Sequence, residues 1–123
     1  ASAHIELSDD MNVRDVHRLT RRIELEVYNK YGIILTLGIY ASNDKGEYKE
    51  IKSYIVKLIK QYKNVIQMHG FYVDPEYDLV SFDIIFNFDE ENPEEKVMEM
   101  KKNLEEKYPN YNFGIIIDAD ISD

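Results

Sequence analysis

Five side chains in this sequence could bind a metal ion: His4, His17, His69, Asp118 and Asp120. Imidazole nitrogens and carboxylate oxygens together suit zinc and related first-row divalent ions, here zinc, manganese or iron. Asp118 and Asp120 are two residues apart, so an extended strand would place both carboxylates on one side. Structural alternatives stay open, because a lone histidine is more often packed or hydrogen-bonded, and a charged strand end discourages edge pairing. These five residues are the candidates for a metal site.

Catalytic motifs with strong local signatures are absent from the sequence, which has no P-loop, G-x-S-x-G, H-E-x-x-H or glycine-rich dinucleotide turn. The acidic groups at 89–91 and 94–95 lie at a predicted helix start, where the helix dipole favours negative charge without any catalytic role. Because the chain has no cysteine, disulfides, thiolate metal sites and cysteine nucleophiles are excluded. The sequence predicts that the chain is not an enzyme.

Composition limits the partners. The 123 residues are 44% hydrophobic, which is enough for a buried core. A formal net charge of −9 opposes binding to phosphate backbones or anionic lipid surfaces, so nucleic acid is not expected as a partner. The apolar runs fall far short of the ~20 residues that span a bilayer. Direct insertion of this segment into a membrane is therefore not expected.

Hydrophobic spacing and capping residues predict eight elements in the order β-α-β-α-β-β-α-β. Asn12 and Gly32 bound the first helix, and Asn92 followed by Pro93 starts the last one. The strand at 33–40 is apolar on both faces and is expected to be central in its sheet. The other predicted elements are a strand at 3–8, an amphipathic helix at 51–62, a hairpin of strands at 65–73 and 79–88, and a closing strand at 113–118. Alternation along the strand at 79–88 predicts one core face and one outward face. The core face is Val80, Phe82, Ile84, Phe86 and Phe88, and the outward face is Ser81, Asp83 and Asn87.

The element order predicts the fold class. Residues 33–118 alone spell β-α-β-β-α-β, the ferredoxin-like arrangement, here preceded by an extra strand and helix. This is an α+β sandwich with helices on one face of a mostly antiparallel sheet. Alternation places Ile85 and Ile116 on the other face of that sheet, and exposed apolar patches commonly mark interfaces. We therefore expect a homodimer.

The chain also matches itself at a shift of eighty positions, which aligns its first 43 residues with its last 43 without a gap. Identical pairs include Asp9 with Asp89, Asn12 with Asn92, Tyr28 with Tyr108, Tyr31 with Tyr111, and Ser42 with Ser122. Such self-similarity indicates a repeat: a partial unit at 1–42 and a complete α-β-β-α-β unit at 43–123, expected to pack together as one compact domain. The economical interpretation is that Ala1 is not the natural start. In this alignment His4 and His17 fall on Ile84 and Val97.

Four segments carry a resemblance to a known family. Residues 65–71 (VIQMHGF), the strand at 81–88, the helix at 94–107 and the ending IIIDAD at 115–120 resemble the C-terminal cytosolic domain of cation diffusion facilitator (cation efflux) transporters. The resemblance covers residues 47–120, and residues 3–40 are similar to the second half of such a unit. It implies α-β-β-α-β units that dimerise beneath a membrane-embedded metal/proton antiporter.

The resemblance also implies part of a metal site. His69 matches a histidine that the family often has in its first strand motif, and His17 matches one early in the second helix, where the complete unit departs with Val97. The family's closing strand often reads His-x-Asp. Here Asp118 replaces the histidine and Asp120 keeps the acid. His17 and His69 belong to different units, so the family's site does not carry over whole within one copy.

The resemblance therefore implies a regulatory and dimerisation domain of a divalent metal cation efflux transporter, which senses metal. It would lie on the cytoplasmic side of the plasma membrane, as a soluble domain joined to an upstream transmembrane domain of the same polypeptide. Two other hypotheses stay open: a stand-alone ferredoxin-like module that binds a small molecule, and an assembly domain without a ligand.

Overall fold

The computed structural model describes residues 1–42 and 46–118. The chain divides into two compact units. Unit 1 is residues 1–42, and the described part of unit 2 is residues 46–118. Each is described by itself, and the expectation that they pack together as one compact domain stays a prediction.

Unit 1 is a strand, a helix and a second strand: β1 (Ser2–Ser8), α1 (Val13–Tyr31) and β2 (Thr36–Ser42). The two strands pair in parallel. The Asn12 side chain accepts a hydrogen bond from the Asp15 backbone N–H, which satisfies one free donor of the first turn. Gly32 takes the left-handed conformation, with φ of 68°, and its N–H donates to the Tyr28 carbonyl. The predicted limits of this helix are confirmed.

The strand predicted at 33–40 begins later than expected. Ile33 and Ile34 precede β2 and are 43% and 77% exposed, so the apolar run is not all strand. The central position expected for this strand is also wrong for the described residues, because β2 pairs with β1 alone. The apolar run does not reflect burial on both faces, because Ile39 within β2 is 40% exposed.

Unit 2 contains two helices and a three-stranded sheet. Its elements are α2 (Glu47–Ile59), β3 (Val65–Asp74), β4 (Leu79–Phe86), α3 (Pro93–Lys107) and β5 (Asn112–Asp118). The strand order is β3-β4-β5, with β3 antiparallel to β4 and β4 parallel to β5. The predicted hairpin is confirmed, and Pro93 begins α3 as expected.

The fold class is α+β, as predicted, with two small sheets in place of one. The three-stranded sheet is mixed and so differs from the mostly antiparallel sheet that was expected. The ferredoxin-like arrangement of residues 33–118 is not confirmed, because β2 forms a sheet with β1. Pairing between strands that are neighbours along the chain and joined by a helix competes with pairing over longer distances. Among the described residues, no helix combines the length and the apolar content needed to cross a bilayer.

The core of unit 2 is one face of the sheet packed against both helices. Alternate residues of β4 are buried, as the sequence pattern predicted. Each large side chain that becomes fully buried contributes roughly 1.5–3 kcal/mol relative to an exposed one. Phe88, expected to extend this row, lies beyond the end of β4 and is 86% exposed. The buried residues are Ile51, Ile55, Leu58, Phe71, Val73, Val80, Phe82, Ile84, Phe86, Met100, Leu104 and Phe113.

The opposite face of this sheet, here called the open face, carries the other residues of β4: Ser81, Asp83 and Ile85. His69 of β3 is the register partner of Asp83 on one side, and Ile116 of β5 is its partner on the other. Ile116 is 60% exposed. The open face therefore combines polar groups with apolar side chains, as expected for Ile85 and Ile116.

The two units share one topological element. In each, two parallel strands are joined by one helix: β1-α1-β2 in unit 1 and β4-α3-β5 in unit 2. The half-buried residues of β1 are Ile5 and Leu7, and by burial they correspond to Ile84 and Phe86. This correspondence by burial differs by one residue from the sequence alignment of Ile5 with Ile85, and a shift by one residue moves every side chain of a strand to the other face.

The correspondence by burial changes which residues are equivalent. His4 matches Asp83, and no longer Ile84. Because Ile5 pairs with Ile39, and Ile84 pairs with Ile117, Tyr40 matches Asp118. The two positions that carry carboxylates in unit 2 therefore carry a histidine and a tyrosine in unit 1.

Candidate metal centre

His69 reaches the open face because β3 is irregular at this point. Phe71 and Val73 are buried in the core, and in a regular strand His69, two residues before Phe71, would share their face. The register with β4 shifts between His69 and Tyr72, and Gly70 has a positive φ of 70°. A bulge with a left-handed glycine reverses the face that the following side chains meet. His69 is thereby turned away from the core.

Asp83 lies directly opposite His69 in the antiparallel pair. Its Oδ2 is 3.5 Å from His69 Nδ1, and its side chain is only 16% exposed. The neighbouring Phe82 and Ile84 are buried, so alternation along β4 turns Asp83 to the open face. The strand that fills the core therefore also fixes the position of this carboxylate.

Asp118 is the last residue of β5 and the register partner of Ile85. Its Oδ2 is 3.5 Å from His69 Nε2, and its side chain is 44% exposed. Both nitrogens of one imidazole thus have a carboxylate neighbour. The two carboxylates come from strands on the same side of β3, so the sheet alone brings them to the ring.

His69, Asp83 and Asp118 are called the His69 cluster. One ligand atom from each residue lies within 4.8 Å of the other two. Ligands bound to one tetrahedral zinc ion at 2.0–2.2 Å are roughly 3.3–3.6 Å apart, so small side-chain rotations would suffice to bind an ion. One imidazole nitrogen would bind the metal together with one oxygen from each carboxylate. A nitrogen and two carboxylate oxygens suit zinc, manganese or iron.

The other sequence candidates are not placed in this cluster. Asp120 lies outside the described residues. His4 and His17 lie in unit 1, on β1 and α1. His17 is exposed, and its carbonyl accepts a hydrogen bond from Thr20 Oγ1. Within residues 1–42 and 46–118, the His69 cluster is the one group of three such ligands found close together.

His4 has a different neighbour, the ring of Tyr40. The two ring centroids are 4.9 Å apart, with 13° between the planes, so the rings are stacked. The stack lies over Gly38, where an added Cβ would collide with the imidazole. At the positions equivalent to Asp83 and Asp118, unit 1 therefore has an aromatic pair in contact.

Asp83 is the site residue that the sequence did not indicate. It was assigned correctly to the face of β4 away from the core, but a single acid on an outward face is unremarkable in sequence. Its proximity to His69 depends on the register between β3 and β4. The sequence signal for Asp83 was its position between the apolar residues Phe82 and Ile84. That position predicts which face of the strand Asp83 lies on, but it does not predict which residue lies opposite.

A groove of about 430 Å³ lies near the end of α2 and the start of α3. Residues 61–64 and 89–92, with Lys96 and Glu99, line it. Burial, and then the charge of Glu99, raise the pKa of Tyr62 above its ordinary value. Most of the lining is charged or amide-bearing, unlike the largely apolar walls of small-molecule sites. The groove does not support the hypothesis of a metabolite-binding module.

No family model, curated protein or solved structure matches the chain. The His69 cluster is therefore the structural feature that indicates a function.

Proposed function

We propose that unit 2 binds a divalent transition-metal ion, zinc, manganese or iron, through His69, Asp83 and Asp118. The observation that carries the proposal is the convergence of one imidazole and two carboxylates from three adjacent strands. Each strand is anchored by core residues on its other face, so the ligands are held by the fold. Such preorganisation reduces the entropy lost when an ion binds.

We further propose that the metal-binding unit is a regulatory and dimerisation domain of a divalent cation efflux transporter. Two observations support it: the resemblance of residues 47–120 to the cytosolic domain of cation diffusion facilitators, and the element order α-β-β-α-β of unit 2. In this proposal the domain lies on the cytoplasmic side of the plasma membrane, and a transmembrane domain of the same polypeptide moves the ion.

The open face supports a second copy as the dimer partner. It holds the His69 cluster beside Ile116, which is 60% exposed, and Tyr72, which is 40% exposed. Large exposed apolar side chains grouped around a polar site are typical of interfaces. An ion bound more tightly in the dimer than in the monomer would favour the dimer by that difference in affinity. Metal concentration would thus be converted into assembly of the attached transmembrane domains.

The test is a titration of the purified chain with zinc, manganese and ferrous iron, read by calorimetry and by thermal unfolding. We expect one ion per chain or one per dimer, and a higher melting temperature with at least one metal. A chain that responds to none of the three ions would refute the metal-binding function. Sedimentation with and without metal tests the dimer separately.

A ligand-free assembly domain is the second candidate, and one observation favours it. Both nitrogens of His69 already have carboxylate neighbours at 3.5 Å, so the three side chains are in contact without an ion. The two candidate functions predict different responses to a chelator. If EDTA leaves the melting temperature and the dimer unchanged after prior loading with each metal, the assembly domain is the better description.

A further inference from the structure

Unit 1 has a strand edge that its counterpart in unit 2 does not have. In unit 2, β4 is central, with β3 on one side and β5 on the other. The equivalent strand β1 pairs, among the described residues, with β2 alone. An unpaired edge presents a row of backbone N–H and C=O groups that can pair with another strand. The side of β1 away from β2 pairs with no other strand among the described residues, and it is here called the free edge.

The helix of unit 1 is also incompletely covered. None of its side chains is buried, whereas Met100 and Leu104 of the equivalent α3 are fully buried. The apolar stripe of α1, here called the α1 stripe, is only half-buried and consists of Val16, Leu19, Thr20, Ile23 and Val27. Leu25, elsewhere on the helix, and Ile39 of β2 are 47% and 40% exposed. An isolated two-stranded sheet is at best marginally stable. Unit 1 thus lacks what α2 and β3 supply in unit 2, which is a third strand and a second helix.

We infer that the free edge of β1 binds an antiparallel strand with the side-chain pattern of β3, preceded by an amphipathic helix like α2 that packs on the α1 stripe. The register between β3 and β4 in unit 2 predicts the register between the bound strand and β1. His69 is opposite Asp83 and Met68 is opposite Ile84, so the equivalent residues of the bound strand lie opposite His4 and Ile5. In this register, the core-facing side chains of the bound strand contact the half-buried face of β1.

This occupant is preferred over a second copy of β1 because both units share the β-α-β topology and their sequences share the repeat. In unit 2, the equivalent edge of β4 is covered by the antiparallel strand β3, which the helix α2 precedes. The inference does not depend on metal binding, since it concerns a strand edge and a helix stripe of unit 1. All measurements that test it are made in EDTA.

The experiment fuses a second copy of residues 47–79 directly before Ala1 of the full chain. This junction follows the structural correspondence, in which Ala1 matches Val80. Amide hydrogen exchange by NMR is measured along β1. The N–H groups that point to the free edge should exchange on the order of tenfold or more slowly than in the unmodified chain, because they become hydrogen-bonded.

The matched control carries Met68→Pro and His69→Pro in the added copy only. Adjacent residues of a strand point their N–H groups to opposite edges, so one of the two prolines removes a ladder hydrogen bond. The fusion should protect β1, and the proline version should not. Equal exchange in both proteins overturns the inference.

Two further outcomes also decide it. If the fusion does not fold, the peptide 47–79 is added in trans to the unmodified chain, and unchanged β1 amide shifts at saturating peptide overturn the inference. If the β1 amides of the unmodified chain become protected as its concentration rises, a second copy takes the edge and the inference is wrong. Slower exchange in β1 with the peptide in trans supports it.

Discussion

His69 and Asp83 are direct cross-strand partners, with His69 Nδ1 3.5 Å from Asp83 Oδ2. The contact depends on two features that act together. The bulge at Gly70 turns His69 to the open face, and the buried neighbours of Asp83 turn its carboxylate to the same face. The geometry of the candidate metal site on this sheet face thus results from the packing of the core beneath it.

Replacing His69 tests the metal site most directly. His69→Ala removes the nitrogen ligand, so the rise in melting temperature with metal should disappear. At a metal concentration about 100 times Kd, a bound ion raises the free energy of unfolding by about 2.7 kcal/mol, and the variant should lack this increase. The control is His17→Ala, at an exposed position on α1, which should keep the full metal response in thermal unfolding. Equal responses from the two variants would exclude His69 as a ligand.

Replacing Asp83 separates charge from shape. Asp83→Asn keeps the size of the side chain but removes the anionic ligand. Loss of even an outer-shell partner lowers metal affinity roughly 10–100-fold, so the affinity should fall at least about tenfold. Asp89→Asn, beyond the end of β4, is the matched control and should bind normally. Calorimetric titration gives both affinities. Unchanged affinity in the Asp83 variant would place the ion elsewhere.

Replacing Ile116 tests the dimer surface. Ile116→Lys puts a charge on the open face, where it is 60% exposed, so the fold should persist while self-association weakens. Met98→Lys on α3, at a position that is 72% exposed, is the control for an added surface charge. Sedimentation equilibrium measures the dimer constant of each variant. A stronger effect from Met98→Lys would move the interface to the helical face.

Gly70 tests the bulge. A side chain at a φ of 70° costs roughly 1–2 kcal/mol, so Gly70→Ala should lower the free energy of unfolding by about that much and weaken metal binding by moving His69. Gly114→Ala is the control, since an added Cβ there meets Leu79 and Ser81 only at 3.8 Å. Chemical denaturation and metal titration measure the two effects. Loss of stability without loss of affinity would show that the bulge does not position His69.

Tyr111 predicts a pH dependence at high pH. Burial raises its pKa to about 12 from 10.0, helped by a hydrogen bond to Glu47. The folded state therefore holds this proton more strongly than the unfolded state. The resulting stability is fully present below pH 10 and is lost as the pH rises towards 12. Tyr111→Phe should lose less stability over this window in urea unfolding, whereas Tyr77→Phe, with a ring that is 66% exposed, should behave like the parent chain.

Much of the local structure was predictable because its signals lie between residues that are close along the chain. The Asn12 cap and the Gly32 stop fixed α1, and strict alternation identified the buried face of β4. The prediction failed where the local signal was ambiguous. The apolar run at 33–40 suggested a central strand, but β2 begins at Thr36 and pairs with β1.

The sequence by itself determined the order of helices and strands, the caps of α1, the core face of β4 and the candidacy of His69 and Asp118. Caps, turns and hydrophobic periodicity depend on residues that are close along the chain, so they can be predicted from the sequence. Only the tertiary structure decided that Asp83 completes the cluster and that β1 matches β4 one residue away from the shift of eighty. Cross-strand register and bulges are set by how distant segments pack together, and a difference of one residue reverses the face of every side chain.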